Sequence, residues 1–138
     1  MKHGKPETIE QISVVTYIRA QYPDILMTMS PAGVKFGGNP KQRMIQGANM
    51  KRMGYVTGTP DLILMEARGP WHGLLIEMKT QGGTACDVSP EQRAFHAIAE
   101  RKGYRVEVCF GSNEAVNAVD RYMKWPINGQ NQNKPTGG

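Results

Sequence analysis

Apolar positions along the chain fall into short runs whose period switches between helical and extended. Ile12, Val15, Ile18 and Tyr22 recur near one face at helical spacing and predict a helix over residues 7–20, stopped by Pro23. Residues 25–29 read as a strand closed by Ser30-Pro31, and a glycine-rich loop follows over 33–38. Asn39-Pro40 has the form of an N-cap and first helical position, opening a short basic helix that ends near Gly54.

Two apolar strands come next, over 61–66 and 74–80, joined by a turn containing Gly69-Pro70. Ser89-Pro90-Glu91-Gln92 is a capping box with proline at N1, and it starts a helix reaching Lys102-Gly103. A strand over 105–110 and a helix over 113–123 complete the order α-β-α-β-β-α-β-α. That order predicts an α/β fold, a mixed central sheet flanked by helices. The reading is one domain over 1–125, with a tail over 126–138, rich in Asn, Gln and Gly, that is expected to be disordered.

The chain of 138 residues is long enough to bury a core without staples. No apolar run approaches the roughly 20 residues of a membrane span, and Met1-Lys2-His3-Gly4-Lys5 leads into no apolar signal region. Cys86 and Cys109 form neither a CxxC nor a zinc-spaced cluster, so a reduced, cytoplasmic protein is expected, with a loop thiol and a core thiol. Charge changes the picture more. The formal net charge is +5, and from Ile25 to Pro60 there are five cations, Lys35, Lys41, Arg43, Lys51 and Arg52, and no acid. Such a one-signed stretch suits a polyanion such as DNA, or is simply a solvated basic face.

The second apolar strand, LLIEMKT, ends in charges. Side chains alternate along a strand, so Glu77 and Lys79 share a face and Met78 points away. The hairpin midpoint sets Asp61 opposite residue 78, give or take one. Pairing with 77 or 79 gathers Asp61, Glu77 and Lys79 on one face; pairing with 78 sends Asp61 to the other. Two carboxylates that close repel unless a cation joins them. A hard ion such as Mg²⁺ takes one or two carboxylates with water and phosphate, and a neighbouring lysine can offset charge building on a phosphate or act on the attacking water. The bland alternative is a surface ion pair of little energetic weight. A bare PD…ExK is common. Its placement on two strands, ahead of a capped helix and a further strand, is not.

From about Glu7 to Phe110 the chain resembles the PD-(D/E)XK nuclease superfamily, and within it the VRR-NUC (virus-type replication-repair nuclease) branch. The matching pieces are Gly58-Thr59-Pro60-Asp61, Glu77-Met78-Lys79, Gln92, the strand from Arg105 to Cys109, and Glu7 four residues before Gln11. The resemblance implies a restriction-endonuclease-like core and an endonuclease dependent on Mg²⁺ or Mn²⁺. It implies structured DNA as substrate, four-way junctions in particular, in replication, recombination or repair, cut by a homodimer. It assigns Asp61 and Glu77 as metal ligands with the Met78 carbonyl as a third, Lys79 as the catalytic lysine, and Gln92 as a positioning group. Glu7 completes the site from the first helix, with Glu10 as the alternative. Gln92 is equally explained as the N3 residue of its cap, and no partner spacing supports a nucleophilic or metal-ligand role for His3, His72 or His96. The rival reading is a non-catalytic nucleic-acid-binding module built on the same cations.

Overall fold

In the computed structural model, which describes residues 6–31 and 37–127, the elements follow the expected order. They are α1 (Pro6–Gln21), β1 (Met27–Met29), α2 (Pro40–Arg52), β2 (Leu62–Leu64), β3 (Gly73–Lys79), α3 (Pro90–Arg101), β4 (Tyr104–Phe110) and α4 (Ser112–Met123), with a 3₁₀ turn at Ala85–Asp87 before α3. The strands form one mixed sheet in the order β1-β2-β3-β4. β1, β2 and β3 run antiparallel in turn, and β4 lies parallel to β3 after the crossover through α3.

β3 is the sheet's central element. Every residue of it except Lys79 is buried, because helices cover both faces. Leu74, Ile76 and Met78 pack with Leu62 and Leu64 against Val14 and Ile18 of α1 and Ala115, Ala118 and Val119 of α4. Leu75 turns the other way, joining Val106, Ala99, Phe95 and Ile63 beneath α3. The alternation explains why the segment reads as a continuous apolar run: each successive residue meets a different core.

The strands are shorter than the apolar runs suggest, since other groups claim the flanking backbone. Past Leu64, the Met65 N–H donates to the Leu26 carbonyl (2.8 Å) and the Tyr122 hydroxyl donates to the Glu66 carbonyl (2.6 Å). Pro126 and Ile127, placed in the tail on composition, are tied to the turn before β3: the Gly69 N–H donates to the Pro126 carbonyl (2.7 Å) and Ile127 bridges to Arg68. Residues 128–138 of that tail lie outside the described residues. Cys86 is exposed and Cys109 buried. Among the described residues no helix is long and apolar enough to cross a membrane.

Helix α2 is the exception to the packing. A capping box between Asn39 and Gln42, with proline in the first turn, starts it, yet none of its residues is buried. Met44, Ile45 and, just past its end, Met53 are all exposed.

Candidate active site

The site begins at a glycine. Gly58 has φ +97°, and a Cβ there would lie 2.4 Å from the Glu91 carbonyl oxygen. Only a residue without a side chain lets the loop before β2 lie against the first turn of α3. Pro60 follows, buried, and then Asp61. With Leu62 opposite Ile76, one further step of the antiparallel register sets Asp61 across from Glu77. This is one of the two pairings that gather the charged groups on one face, and the slipped alternative is excluded.

The backbone around Met78 explains why these residue types stand together. In a strand the N–H and C=O of one residue point to the same neighbour, and antiparallel partners exchange both bonds at alternate pairs. The Lys79 carbonyl turns to the β4 side, accepting from the Gly111 N–H (2.9 Å). The Met78 N–H turns to the β2 side, where the Asp61 carboxylate accepts it through Oδ2 (2.7 Å). The residue that a continued ladder would set opposite Met78 is Pro60, which has no N–H. The Met78 carbonyl therefore points to an edge where the ladder supplies no donor, beside the Asp61 carboxylate.

Glu77 is only 2% exposed and shares the α3 side of the sheet with Leu75. Gln92 reaches it from the helix: its Nε2 donates to Glu77 Oε2 (3.2 Å), while its Oε1 accepts from Lys79 Nζ (3.1 Å) and from the Ser89 N–H (2.8 Å). The Gln92 N–H in turn donates to Ser89 Oγ (3.1 Å). Capping and positioning are thus one structure: the same amide closes the helix start and bridges the buried carboxylate to the lysine.

Two further side chains approach Glu77. His96, one turn beyond Gln92, brings Nε2 to 3.4 Å from Glu77 Oε1. Such a contact is neither of the nucleophilic or metal-ligand roles weighed for the histidines; its sequence signal is the i, i+4 relation to Gln92 on one helix face. Tyr55, in the loop after α2, lies near the same carboxylates: burial first, then the charges of Glu77 and Asp61, push its hydroxyl pKa up. Nothing in its local sequence marks it. Of the other histidines, His72 is exposed in the turn and His3 lies outside the described residues.

On α1 the structure turns Glu7 to solvent and Glu10 inward. Both share the stripe of Val14, but at 1.5 Å of rise per residue Glu7 is about 10 Å along the axis from Val14 and Glu10 about 6 Å, so Glu7 overshoots the sheet. One oxygen of Glu10, Oε2, is buried with no hydrogen-bond partner among the described residues. Its Oε1 lies 3.4 Å from where a Cβ on Gly111 would be, at the same end of the sheet as Lys79. Lys41, Arg43, Lys51 and Arg52 are exposed on α2, Arg43 also donating to the Gly38 carbonyl (2.6 Å); Lys35 lies outside the described residues.

Burial, then the Glu77 charge and a hydrogen bond between the two side chains, push the Asp61 carboxyl up to about 7, against the lowering effect of the Met78 N–H and Lys79. The pair is short of positive charge, and a cation would relieve it. No group of three or more His, Cys, Asp and Glu gathers into a cage among the described residues. Two carboxylates and a backbone carbonyl suit a hard ion that keeps much of its water, such as Mg²⁺, better than zinc or a fully enclosed calcium.

A profile of the VRR-NUC domain matches residues 18–113. A solved structure described as a VRR_NUC domain protein aligns with a TM-score of 0.70 at 26% identity, covering 91% of this chain and 93% of that one. No curated protein matches. The matched stretch runs from the last turn of α1 to the first turn of α4 and takes in Asp61, Glu77, Lys79, Gln92 and His96, so the chain belongs to the VRR-NUC family, nucleases of the PD-(D/E)XK type that act on DNA with divalent metal.

Proposed function

We propose that the protein is an Mg²⁺- or Mn²⁺-dependent endonuclease that hydrolyses phosphodiester bonds in branched DNA, four-way junctions foremost, and that it works in the cytoplasm as a homodimer. The observation that carries the chemistry is the set of hydrogen bonds at one strand end that joins Asp61 to the Met78 backbone, Glu77 to Gln92 and Gln92 to Lys79.

In this reading the carboxylates of Asp61 and Glu77 and the carbonyl of Met78 hold the ion. The chemistry it supplies when bound is polarisation of the scissile phosphate and a more acidic water. Lys79, held through Gln92, sets an ammonium where negative charge develops on the phosphate, a contribution that grows toward the transition state. Gln92 keeps Glu77 and Lys79 from collapsing onto each other. Glu10 supplies the α1 carboxylate, in place of the exposed Glu7. The exposed cations of α2, with Lys35, draw in the DNA backbone.

Pairing of two copies is supported by α2, a 13-residue helix with no buried residue. A helix of that length is marginal alone in water, and its exposed Met44 and Ile45 await a partner. A two-fold axis would set two sites on the two strands of a junction.

The test is cleavage of a four-way junction beside linear duplex of the same sequence, with Mg²⁺, Mn²⁺ or EDTA, and with the mass of the free and DNA-bound protein from light scattering. Junction cleavage that needs metal and disappears in Lys79→Ala, with DNA binding held within a few-fold, is the expected result. Scission indifferent to EDTA overturns the mechanism, equal cutting of linear duplex overturns the substrate, and a stable monomer overturns the pairing.

A further inference from the structure

The Glu77 carboxylate is held from two points on α3. Gln92 Nε2 donates to Oε2 at 3.2 Å, and His96 Nε2 stands 3.4 Å from Oε1, with the histidine side chain 12% and the glutamate side chain 3% exposed. Residues 92 and 96 are one helical turn apart and face the sheet together. A glutamate's terminal torsion is broad and sets no orientation by itself. Gln92 alone would fix one oxygen and leave the carboxylate free to swing about it. Two carboxylates this close repel when both are ionised, so an ion-ready Glu77 needs more than one anchor to keep its orientation.

We infer that His96 is a positioning residue for Glu77: its Nε2–H anchors Oε1 as Gln92 anchors Oε2, and the pair of anchors fixes the carboxylate plane. A carboxylate has about four acceptor sites; α3 uses one on each oxygen, which leaves the others for Asp61's side of the site, where Tyr55 and Lys79 are the neighbouring polar groups. The arrangement requires the proton on Nε2. It also makes α3 the element that orients the ligand, with β3 only carrying it. This rests on the reading that Asp61 and Glu77 hold a divalent ion.

The simpler role for a ring at this position is packing, and two substitutions separate the two. His96→Phe keeps a ring without the donor; His96→Gln keeps a donor of similar reach without the ring. Mn²⁺ affinity of the DNA-free protein, measured by titration calorimetry at pH 8, and the melting temperature in EDTA are the readouts. Loss of an outer hydrogen bond to a metal ligand costs roughly 10- to 100-fold in affinity. His96→Phe should therefore bind Mn²⁺ about tenfold or more weaker, with His96→Gln within about threefold of wild type. His96→Ala serves the same comparison should the phenylalanine variant fail to fold. Unchanged affinity in His96→Phe or His96→Ala overturns the role, as does an equal loss in His96→Gln. Wild-type protein that takes up no Mn²⁺ overturns the metal reading and this role with it, whereas wild-type uptake unaffected by the variants overturns the role of His96 alone.

Discussion

The carboxylate of Asp61 accepts the backbone N–H of Met78 at 2.7 Å, standing in for the strand partner that β2 no longer provides. This single bond ties the two halves of the site. It is also one of the few influences that hold down the Asp61 pKa; burial and Glu77 outweigh it and leave the carboxyl near 7.

The raised pKa has a definite sign for stability. In the unfolded chain Asp61 loses its proton near its ordinary value of 3.8, while the folded, metal-free protein keeps it until about 7. The folded state thus binds more protons across that window, and its stability falls as pH rises from about 4 to about 7. Asp61→Asn removes the penalty and can still accept from Met78. In EDTA at pH 8 it should melt about 3 °C or more above wild type, with a smaller gap at pH 5, while binding no Mn²⁺. Calorimetric melts at the two pH values check both parts.

Metal uptake should displace that proton. Below about pH 7 the Mn²⁺ affinity of wild type should drop by up to about tenfold per pH unit, levelling above it. Titration calorimetry in two buffers of different ionisation enthalpy counts the released proton directly; a count of zero at pH 6 contradicts a proton held on Asp61.

Ser89 and Gln92 separate capping from positioning. Ser89→Ala removes the hydroxyl that caps α3 and should cost about 1 kcal/mol while leaving the Gln92 bridge, so the junction-cleavage rate should change little. Gln92→Ala loses its own half of the capping box along with the bridge and should lower stability by a similar amount and kcat by about tenfold or more. Urea melts beside single-turnover cleavage distinguish the two.

Gly58→Ala should harm both fold and activity. The new methyl meets the Glu91 backbone at a φ of +97°, a conformation that costs a side-chain-bearing residue about 1–3 kcal/mol before the clash is counted. Displacing the loop moves Asp61 off Glu77. A lower urea midpoint with weakened Mn²⁺ binding is the expected pair of results.

Lys41→Ala with Arg52→Ala should weaken DNA binding without altering Mn²⁺ affinity. Each phosphate that is no longer neutralised lowers the slope of log affinity against log salt by about 1, which fluorescence anisotropy over a salt series measures in EDTA. An unchanged slope places the DNA elsewhere on the surface.

Much of the site was legible because strand alternation is rigid. Once Glu77 and Lys79 lie on a strand they must share a face, and the hairpin midpoint leaves Asp61 only a one-residue ambiguity, which the pairing of Leu62 with Ile76 removes. The helix start at Ser89 was equally plain, but its side chain chemistry does not say that Gln92 also faces a buried carboxylate; that follows from where α3 lands on the sheet. Glu10 was harder. It shares a stripe with Glu7, and depth along the axis, which sequence spacing does not express, decides between them. Tyr55 stayed hidden because its significance lies in long-range packing, and His96 was marked only by its i, i+4 spacing from Gln92. The isolation of α2 was invisible for the opposite reason: its caps are good, and only the absence of a covering surface among the described residues sets it apart.

Among the described residues, the side chains that Glu77 bonds or whose titration it raises, Tyr55, Asp61, Gln92 and His96, fall within one uninterrupted stretch. Helices α1 and α4 support that stretch from behind, and Glu10 of α1 comes to the same end of the sheet. The reactive groups are thus close in sequence but not self-supporting: the strand that carries them is central, and damage to α1, α4 or β4 reaches the chemistry through the core.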